Sequence, residues 1–149
     1  MSHHVCMTDS QTAVLDLAFR LEQKLAGGRT LTPEERIVVD LAWVDTMVSP
    51  DGFEGWLSAT SCARVVSTLT ALDRVGASDV KTLVREAVAT VGIDPAATSD
   101  EQREQLVDGM TDAAREALNR LDDDFIDIVD AYMGRCWAFV ESHRQGIEA

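Results

Sequence analysis

The sequence SDEQREQLVDGMTDAAREALNRLDDD, residues 99–124, carries the hydrophobic pattern on which the fold prediction depends. Its apolar residues stand at positions 106, 110, 113, 114, 117, 118 and 121, and steps of three and four are typical of one buried helix face. The pattern predicts a helix to about residue 121, with Ser99 and Gln102 as a capping box. On the face opposite the apolar one, we expect a stripe of five carboxylates: Glu101, Glu104, Asp108, Asp112 and Glu116.

A second acidic group follows at once. Asp122, Asp123 and Asp124 are interpreted as the start of a last helix, with Asp122 as its N-cap and the other two near the positive end of its dipole. Asp123, Asp127 and Asp130 would then form a second row beside the stripe. Residues 94–130 contain twelve of the 26 acidic residues and three of the 13 basic ones, so this quarter of the chain dominates its charge.

The rest of the chain repeats the helical pattern, and no segment alternates apolar and polar residues as a strand would. We therefore predict an all-α fold, a single compact domain of about six main helices over residues 9–149 after a flexible leader at 1–8. The segments are about 9–26, 32–49, 61–75, 78–91, 99–121 and 122–140. Thr32, Pro33 and Glu35 predict a capping box at the start of the second.

A sharp turn signal separates the second and third helices. The second is expected to stop at Ser49-Pro50, and a short helical turn follows at the corner formed by Pro50, Asp51, Gly52, Phe53 and Trp56. Two readings of the corner stay open. The aromatic side chains either fill the core between helices or line a ligand pocket.

Composition excludes several classes of function. With a formal net charge of −13 and a pI near 4.4, long-range repulsion opposes direct binding to nucleic acid or to anionic membranes. No apolar run reaches the roughly 18 residues of a membrane span, and we expect a cytoplasmic protein. The three scattered cysteines fit reduced thiols. We find no catalytic motif and no cofactor motif. His3, His4 and Cys6 form only a loose cluster near the terminus, and we do not expect a metal site there.

Four motifs occur in a characteristic order: TPEE at 32–35, SPDGFEGW at 49–56, ALDRVGA at 71–77 and LDDDF at 121–125. Over residues 32–142 the chain resembles the small acidic helical bacterial family that includes DNA mimic protein nineteen. Family members typically carry Asn-Gly at the corner and an aromatic pair after it. Here Pro50-Asp51 replaces Asn-Gly, and Leu57 stands where the second aromatic residue is usual.

The resemblance implies a helical, homodimeric protein without catalytic activity. The protein that gives the family its name displays carboxylates that imitate DNA phosphates, and it occupies the DNA-binding face of a helix-turn-helix regulator. For this chain the resemblance implies a basic protein as partner, bound through the acidic residues of both rows. The alternative is a small structural or adaptor domain whose acidity serves solubility.

Overall fold

The computed structural model describes residues 9–147, and within this range every regular element is helical. The six α-helices are α1 (Asp9–Ala26), α2 (Pro33–Ala59), α3 (Cys62–Arg74), α4 (Ser78–Val91), α5 (Asp100–Asp108) and α6 (Asp112–Ser142), and a 3₁₀ turn (Arg144–Gly146) follows. The all-α prediction is confirmed. The terminal residues 1–8, with His3, His4 and Cys6, lie outside the described residues.

Helices α2 and α6 form the centre of the fold, because they pack on each other and each of the other four α-helices packs on at least one of them. Helix α1 contacts both, α3 packs on α2, and α4 lies against α3 and α6. The short α5 packs on α2. None of the helices in residues 9–147 has the length and apolar composition needed to cross a membrane.

Both predicted capping boxes are present. The Thr32 hydroxyl accepts a hydrogen bond from Glu35 N, and the Glu35 carboxylate accepts one from Thr32 N at 2.8 Å. Ser99 and Gln102 exchange the same pair of bonds at the start of α5. Each box satisfies two backbone donors that a helix start would otherwise leave without a partner.

Helix α2 does not stop at Ser49-Pro50, and this prediction was wrong. Its axis breaks at Gly52 (φ 72°, ψ 179°), and helical structure resumes at once and continues to Ala59. Pro50 lies two residues before the break, and because proline has no backbone N–H it cannot donate a helical hydrogen bond there. The φ of Gly52 lies in a region that residues with a Cβ rarely adopt, which explains the glycine.

The predicted boundary between the last two helices was also wrong. Helix α5 ends at Asp108 with Gly109 as its C-cap, and α6 begins at Asp112, where Thr111 is the N-cap and its hydroxyl accepts from Ala114 N at 3.1 Å. Residues 122–124 therefore lie inside a 31-residue helix and do not begin one. Leu118, Leu121 and Phe125 keep the helical spacing through this segment, and all three are buried.

The buried face of α5 is a further correction. We expected Leu106 and Met110 to face the core, but Leu106 is 37% exposed and Met110 is half-buried. Arg103 and Val107 are the buried residues of this helix. The prediction failed because Arg103 is buried and hydrogen-bonded, whereas a charged residue is normally expected on the solvent side of a helix.

Candidate functional site

The long helix α6 carries the most regular charged surface of the described chain. Successive residues of an α-helix are rotated by about 100° around its axis. Seven residues of α6 therefore fall within one sector of about 60°, and they are six acidic residues and Gly134. We call these carboxylates the α6 acidic face: Asp112, Glu116, Asp123, Asp127, Asp130 and Glu141. The sector lies opposite the side that packs on the core, which includes Leu118, Phe125 and Cys136.

All six side chains of the α6 acidic face are exposed. Within residues 9–147, Asp112 is the one member with an ion pair, a contact of 3.8 Å to Arg115 in which the Asp112 side chain is fully exposed. Such a surface contact contributes little energy. Arg115 is held more closely by Glu54 of α2, with its Nε 3.0 Å from Oε1 and Nη2 3.4 Å from Oε2. The guanidinium therefore leaves most of the negative charge of the face uncompensated.

The structure rearranges the predicted acidic residues. Asp112 and Glu116 do not continue the stripe of α5, because the break at residues 109–111 separates them from Asp108. They align instead with Asp123, Asp127 and Asp130, which we had assigned to a separate helix. Glu101, Glu104 and Asp108 are exposed too, and they form a smaller group on α5.

Glu141 is a member of the face that the sequence analysis missed. It follows Asp130 by eleven residues, which is about three helical turns, so its side chain returns to the same direction. The signal was present in the sequence. It was not used because the last helix was predicted to end at about residue 140, one residue before Glu141.

The corner at Gly52 is a structural site. Phe53 and Trp56 are fully buried, and the Phe53 ring makes edge contacts with Trp56 and with Phe125 of α6 at centroid distances of 6.4 and 6.1 Å. Pro50 and Asp51 are exposed at the bend. The aromatic side chains of the corner thus fill the core between α2 and α6.

Asp122 joins this corner to α6. Because the break at Gly52 leaves Phe53 N without a helical acceptor, Oδ1 of Asp122 accepts its hydrogen bond at 2.7 Å. Asp122 therefore caps the second part of α2 from a neighbouring helix and not, as we had predicted, the start of its own. Its pKa is raised, chiefly because burial disfavours the carboxylate. The hydrogen bond from Phe53 opposes this effect, while the charges of Asp123 and Glu54 add to it.

Two substitutions at Asp122 should separate its hydrogen bond from its charge. Asp122→Ala removes the acceptor of Phe53 N and should cost about 0.5–2 kcal/mol, as loss of an N-cap does. Asp122→Asn keeps an acceptor oxygen and should be at least as stable as the wild type near neutral pH. Urea unfolding of both variants measures the difference, and an Asn variant as unstable as the Ala variant would contradict the capping role.

The same pair has a defined pH dependence. Because the pKa of Asp122 is higher in the folded than in the unfolded chain, the folded chain binds the proton more tightly, and ionisation of Asp122 lowers stability above the raised pKa. Any advantage of Asp122→Asn over the wild type should therefore shrink as the pH falls through the folded pKa towards the ordinary value of 3.8. Unfolding curves at several pH values between about 7 and 4 test this trend.

Three other carboxylates of α2 are buried and take no part in the acidic surface. Glu35 binds Lys24 Nζ through both oxygens at 2.9 Å, and Asp40 accepts from Arg64 Nε at 3.1 Å and from Ser67 Oγ at 2.5 Å. Asp45 accepts from Gln11 Nε2 at 2.8 Å and from Ser49 Oγ at 2.5 Å. These contacts fasten α1 and α3 to α2, a role that residue type alone does not reveal.

Metal-binding and nucleophilic groups are sparse in this structure. Among residues 9–147 no group of three or more His, Cys, Asp or Glu side chains could hold a metal ion. Cys62 and Cys136 are free and buried. Burial raises the pKa of both thiols, that of Cys136 to about 12, so neither is a ready thiolate at neutral pH.

Comparison with known protein families tests the family resemblance that the sequence motifs indicate. The family model described as DMP19-like protein matches residues 29–143, which run from the kinked α2 with its Gly52 corner to the end of α6 and leave out α1. The chain belongs to the DMP19-like family. Comparison with curated proteins and with solved structures gives no match. The resemblance drawn from the sequence over residues 32–142 is thereby confirmed at the level of the family.

Proposed function

We propose that this DMP19-like protein is a non-enzymatic module that binds a basic protein, a helix-turn-helix DNA-binding regulator, by presenting carboxylates in place of DNA phosphates. The observation that carries the proposal is the α6 acidic face. Its carboxylates are aligned on one rigid helix, exposed, and almost free of compensating basic side chains. Membership of the DMP19-like family supports it, because the DNA mimic after which the family is named uses surface carboxylates in this way.

Charge spacing sets a condition on the proposal. Asp112 to Asp130 spans 18 residues, or about 27 Å of helix, and this length holds five carboxylates of the α6 acidic face. Their mean spacing is about 7 Å along the axis, whereas one strand of duplex DNA carries a phosphate every 3.4 Å or so. One α6 acidic face therefore has about half the linear charge density of a DNA strand.

A symmetric homodimer would supply the missing charge, because a second copy brings a second α6 acidic face. We therefore expect the protein to be a dimer in solution, and light scattering at micromolar concentration should report about twice the monomer mass of 16.3 kDa. A monomeric mass at this concentration would contradict the dimer. A single copy would then have to reach the linear charge density of a DNA strand by combining the α5 carboxylates with its one α6 acidic face.

Displacement from DNA tests the proposed function directly. DNA-binding proteins of a native lysate are retained on a duplex-DNA resin at low salt, and the column is then washed with this protein. We expect a basic DNA-binding protein to elute, because the carboxylates compete with phosphates for its binding face. An equal concentration of the variant Asp123→Asn, Asp127→Asn and Asp130→Asn, which lacks three charges of the α6 acidic face, should elute much less.

The control variant carries the substitutions Asp9→Asn, Asp16→Asn and Glu22→Gln. It loses three exposed carboxylates of α1 and keeps the α6 acidic face. It should elute as much protein as the wild type, since the alignment of charges on α6 and not net charge decides binding. If neither the wild type nor this control elutes any protein, the acidity serves solubility, and the adaptor alternative is favoured.

A further inference from the structure

Helix α5 is the most weakly packed helix of the described chain. It has nine residues and buries only Arg103 and Val107, whereas every other α-helix buries at least four side chains. A helix of this length is not stable in isolation. Its C-terminal end also places Asp108 near the negative end of the helix dipole, which is unfavourable. The stability of α5 therefore depends on how it is attached to its neighbours.

The attachment is mainly polar and lies where α2 ends and α3 begins. Arg103 Nη1 donates to the carbonyl oxygens of Leu57 at 2.5 Å and of Ser58 at 3.0 Å, in the last turn of α2. Asp100 Oδ1 accepts from Cys62 N, the first residue of α3, at 2.8 Å. A cation thus meets the negative end of one helix and a carboxylate meets the positive end of the next.

Arg103 is the central residue of this attachment. Its side chain is 6% exposed, its Nε lies 3.6 Å from Asp100 Oδ1, and that nitrogen makes no hydrogen bond. A buried guanidinium with incomplete hydrogen bonding recovers only part of its lost hydration. Opening of α5 returns the guanidinium to water, so the cost of breaking its two carbonyl bonds is partly offset.

We propose that α5 undocks from α2 and α3 as a unit while the rest of the fold stays intact, and that Arg103 controls how often it does so. The segment that moves lies between Ile93, which stays buried in the core, and Gly109, the C-cap of α5. Helices α2 and α6 keep their mutual packing, because they contact each other directly and α5 makes its main helix contact with α2. Local opening of this kind needs less free energy than global unfolding.

Undocking has two consequences. The carboxylates of Glu101, Glu104 and Asp108 move with α5, whereas the α6 acidic face stays fixed. If the proposed function holds, the binding surface therefore consists of a rigid row and an adjustable one, but the undocking does not depend on that function. The second consequence is that Cys62, which is 6% exposed beneath Asp100, becomes accessible to solvent.

The two buried cysteines make the motion measurable without a partner. The experiment uses the full chain with the substitution Cys6→Ser, because the position of Cys6 lies outside the described residues. A thiol reagent is added under native conditions, and mass spectrometry follows the labelling of Cys62 and Cys136 separately. Cys136 is 2% exposed on the core-facing side of α6, and we expect its labelling to require global unfolding. We expect Cys62 to react at least tenfold faster than Cys136.

Arg103→Met tests the role of the guanidinium, because it keeps an apolar side chain of similar length and removes the donors. It should accelerate the labelling of Cys62 at least tenfold further and change that of Cys136 much less. Arg85→Met is the matched control, since Arg85 is exposed on α4, and it should change neither rate. Hydrogen exchange provides a second measurement. The opening rate obtained from exchange of the amides of residues 103–108 should equal the opening rate obtained from the labelling of Cys62.

Three results would overturn the proposal. Equal labelling rates of Cys62 and Cys136 in the parent protein would show that α5 opens only when the whole chain unfolds. Equal acceleration of both cysteines by Arg103→Met would show that the arginine stabilises the fold as a whole. Protection of the α5 amides as strong as that of the α6 amides would show that Cys62 becomes exposed by another motion.

Discussion

Gly52→Ala should lower the free energy of unfolding by about 1.5–5 kcal/mol. A residue with a Cβ is strained by about 1–3 kcal/mol at the backbone angles of Gly52 (φ 72°, ψ 179°). The new Cβ would also stand 2.4 Å from Oδ2 of Asp122, so the carboxylate must move away from Phe53 N. Loss of that cap adds about 0.5–2 kcal/mol. Urea unfolding followed by circular dichroism measures the sum.

Gly134→Ala is the matched control for this substitution. Gly134 lies inside α6 with ordinary helical angles, and a Cβ at this position would meet no atom within 4 Å. Alanine should therefore stabilise the protein by about 0.5–1 kcal/mol, since glycine is the poorer helix former. If both glycine substitutions had the same effect, the special role of Gly52 and of its contact with Asp122 would be refuted.

The corner shows what sequence patterns could and could not predict. Pro50, Asp51 and Gly52 indicated a change of chain direction, and the burial of the aromatic residues after it was one of the two readings left open. The partner of the corner could not be predicted, because Asp122 is 69 residues away from Phe53 in sequence. A carboxylate in an acidic run gives no local sign that it caps another helix.

The boundary between α5 and α6 could have been predicted more accurately. Gly109 followed by Thr111 is a stop and a start signal within three residues, because glycine favours a helix end and threonine favours an N-cap. We gave more weight to the apolar spacing that continues across this segment. The triple aspartate was then interpreted as a helix start, although it lies in the middle of α6.

The positions of the buried charges could not be obtained from hydrophobic patterns at all. Glu35, Asp40, Asp45 and Arg103 each replace an apolar residue in the interior, and each is stabilised by a partner on another helix. Such partners depend on tertiary packing. Exposed carboxylates are different, because helical periodicity alone places them on the solvent side once the helix bounds are right.

These bounds change which substitutions test the binding surface. In one continuous helix, Asp108 and Asp112 would be like charges at i and i+4, but the break at residues 109–111 separates them. On α6 such pairs include Asp112 with Glu116, Asp123 with Asp127, and Asp127 with Asp130. Like-charge pairs at these spacings cost about 0.2–0.5 kcal/mol each in an isolated helix.

The combined substitution Asp123→Asn, Asp127→Asn and Asp130→Asn should consequently leave the fold intact and stabilise it by at most about 1 kcal/mol. Chemical unfolding measures this gain. A loss of stability would show that these carboxylates have favourable interactions in the fold, and the α6 acidic face would then be structural. Stability and binding therefore respond in opposite directions if the proposed function is correct.

Affinity for the DNA-binding protein displaced from the duplex-DNA resin should fall at least tenfold in the same variant. Three of the six charges of the α6 acidic face are removed, and the charged side chains of the partner lose the groups that attract them. The dependence of the affinity on salt concentration should become flatter as well, because fewer charge contacts remain to be screened. Titration calorimetry at two salt concentrations measures both changes.

The α1 control variant, with Asp9→Asn, Asp16→Asn and Glu22→Gln, has the same net charge as this variant and separates position from total charge. If its affinity is that of the wild type while the α6 variant binds at least tenfold more weakly, the aligned carboxylates of α6 form the contact. Equal weakening of both variants would indicate attraction by net charge alone. Unchanged affinity in the α6 variant would move the binding surface to another part of the chain, and the carboxylates of α5 would be the next residues to neutralise.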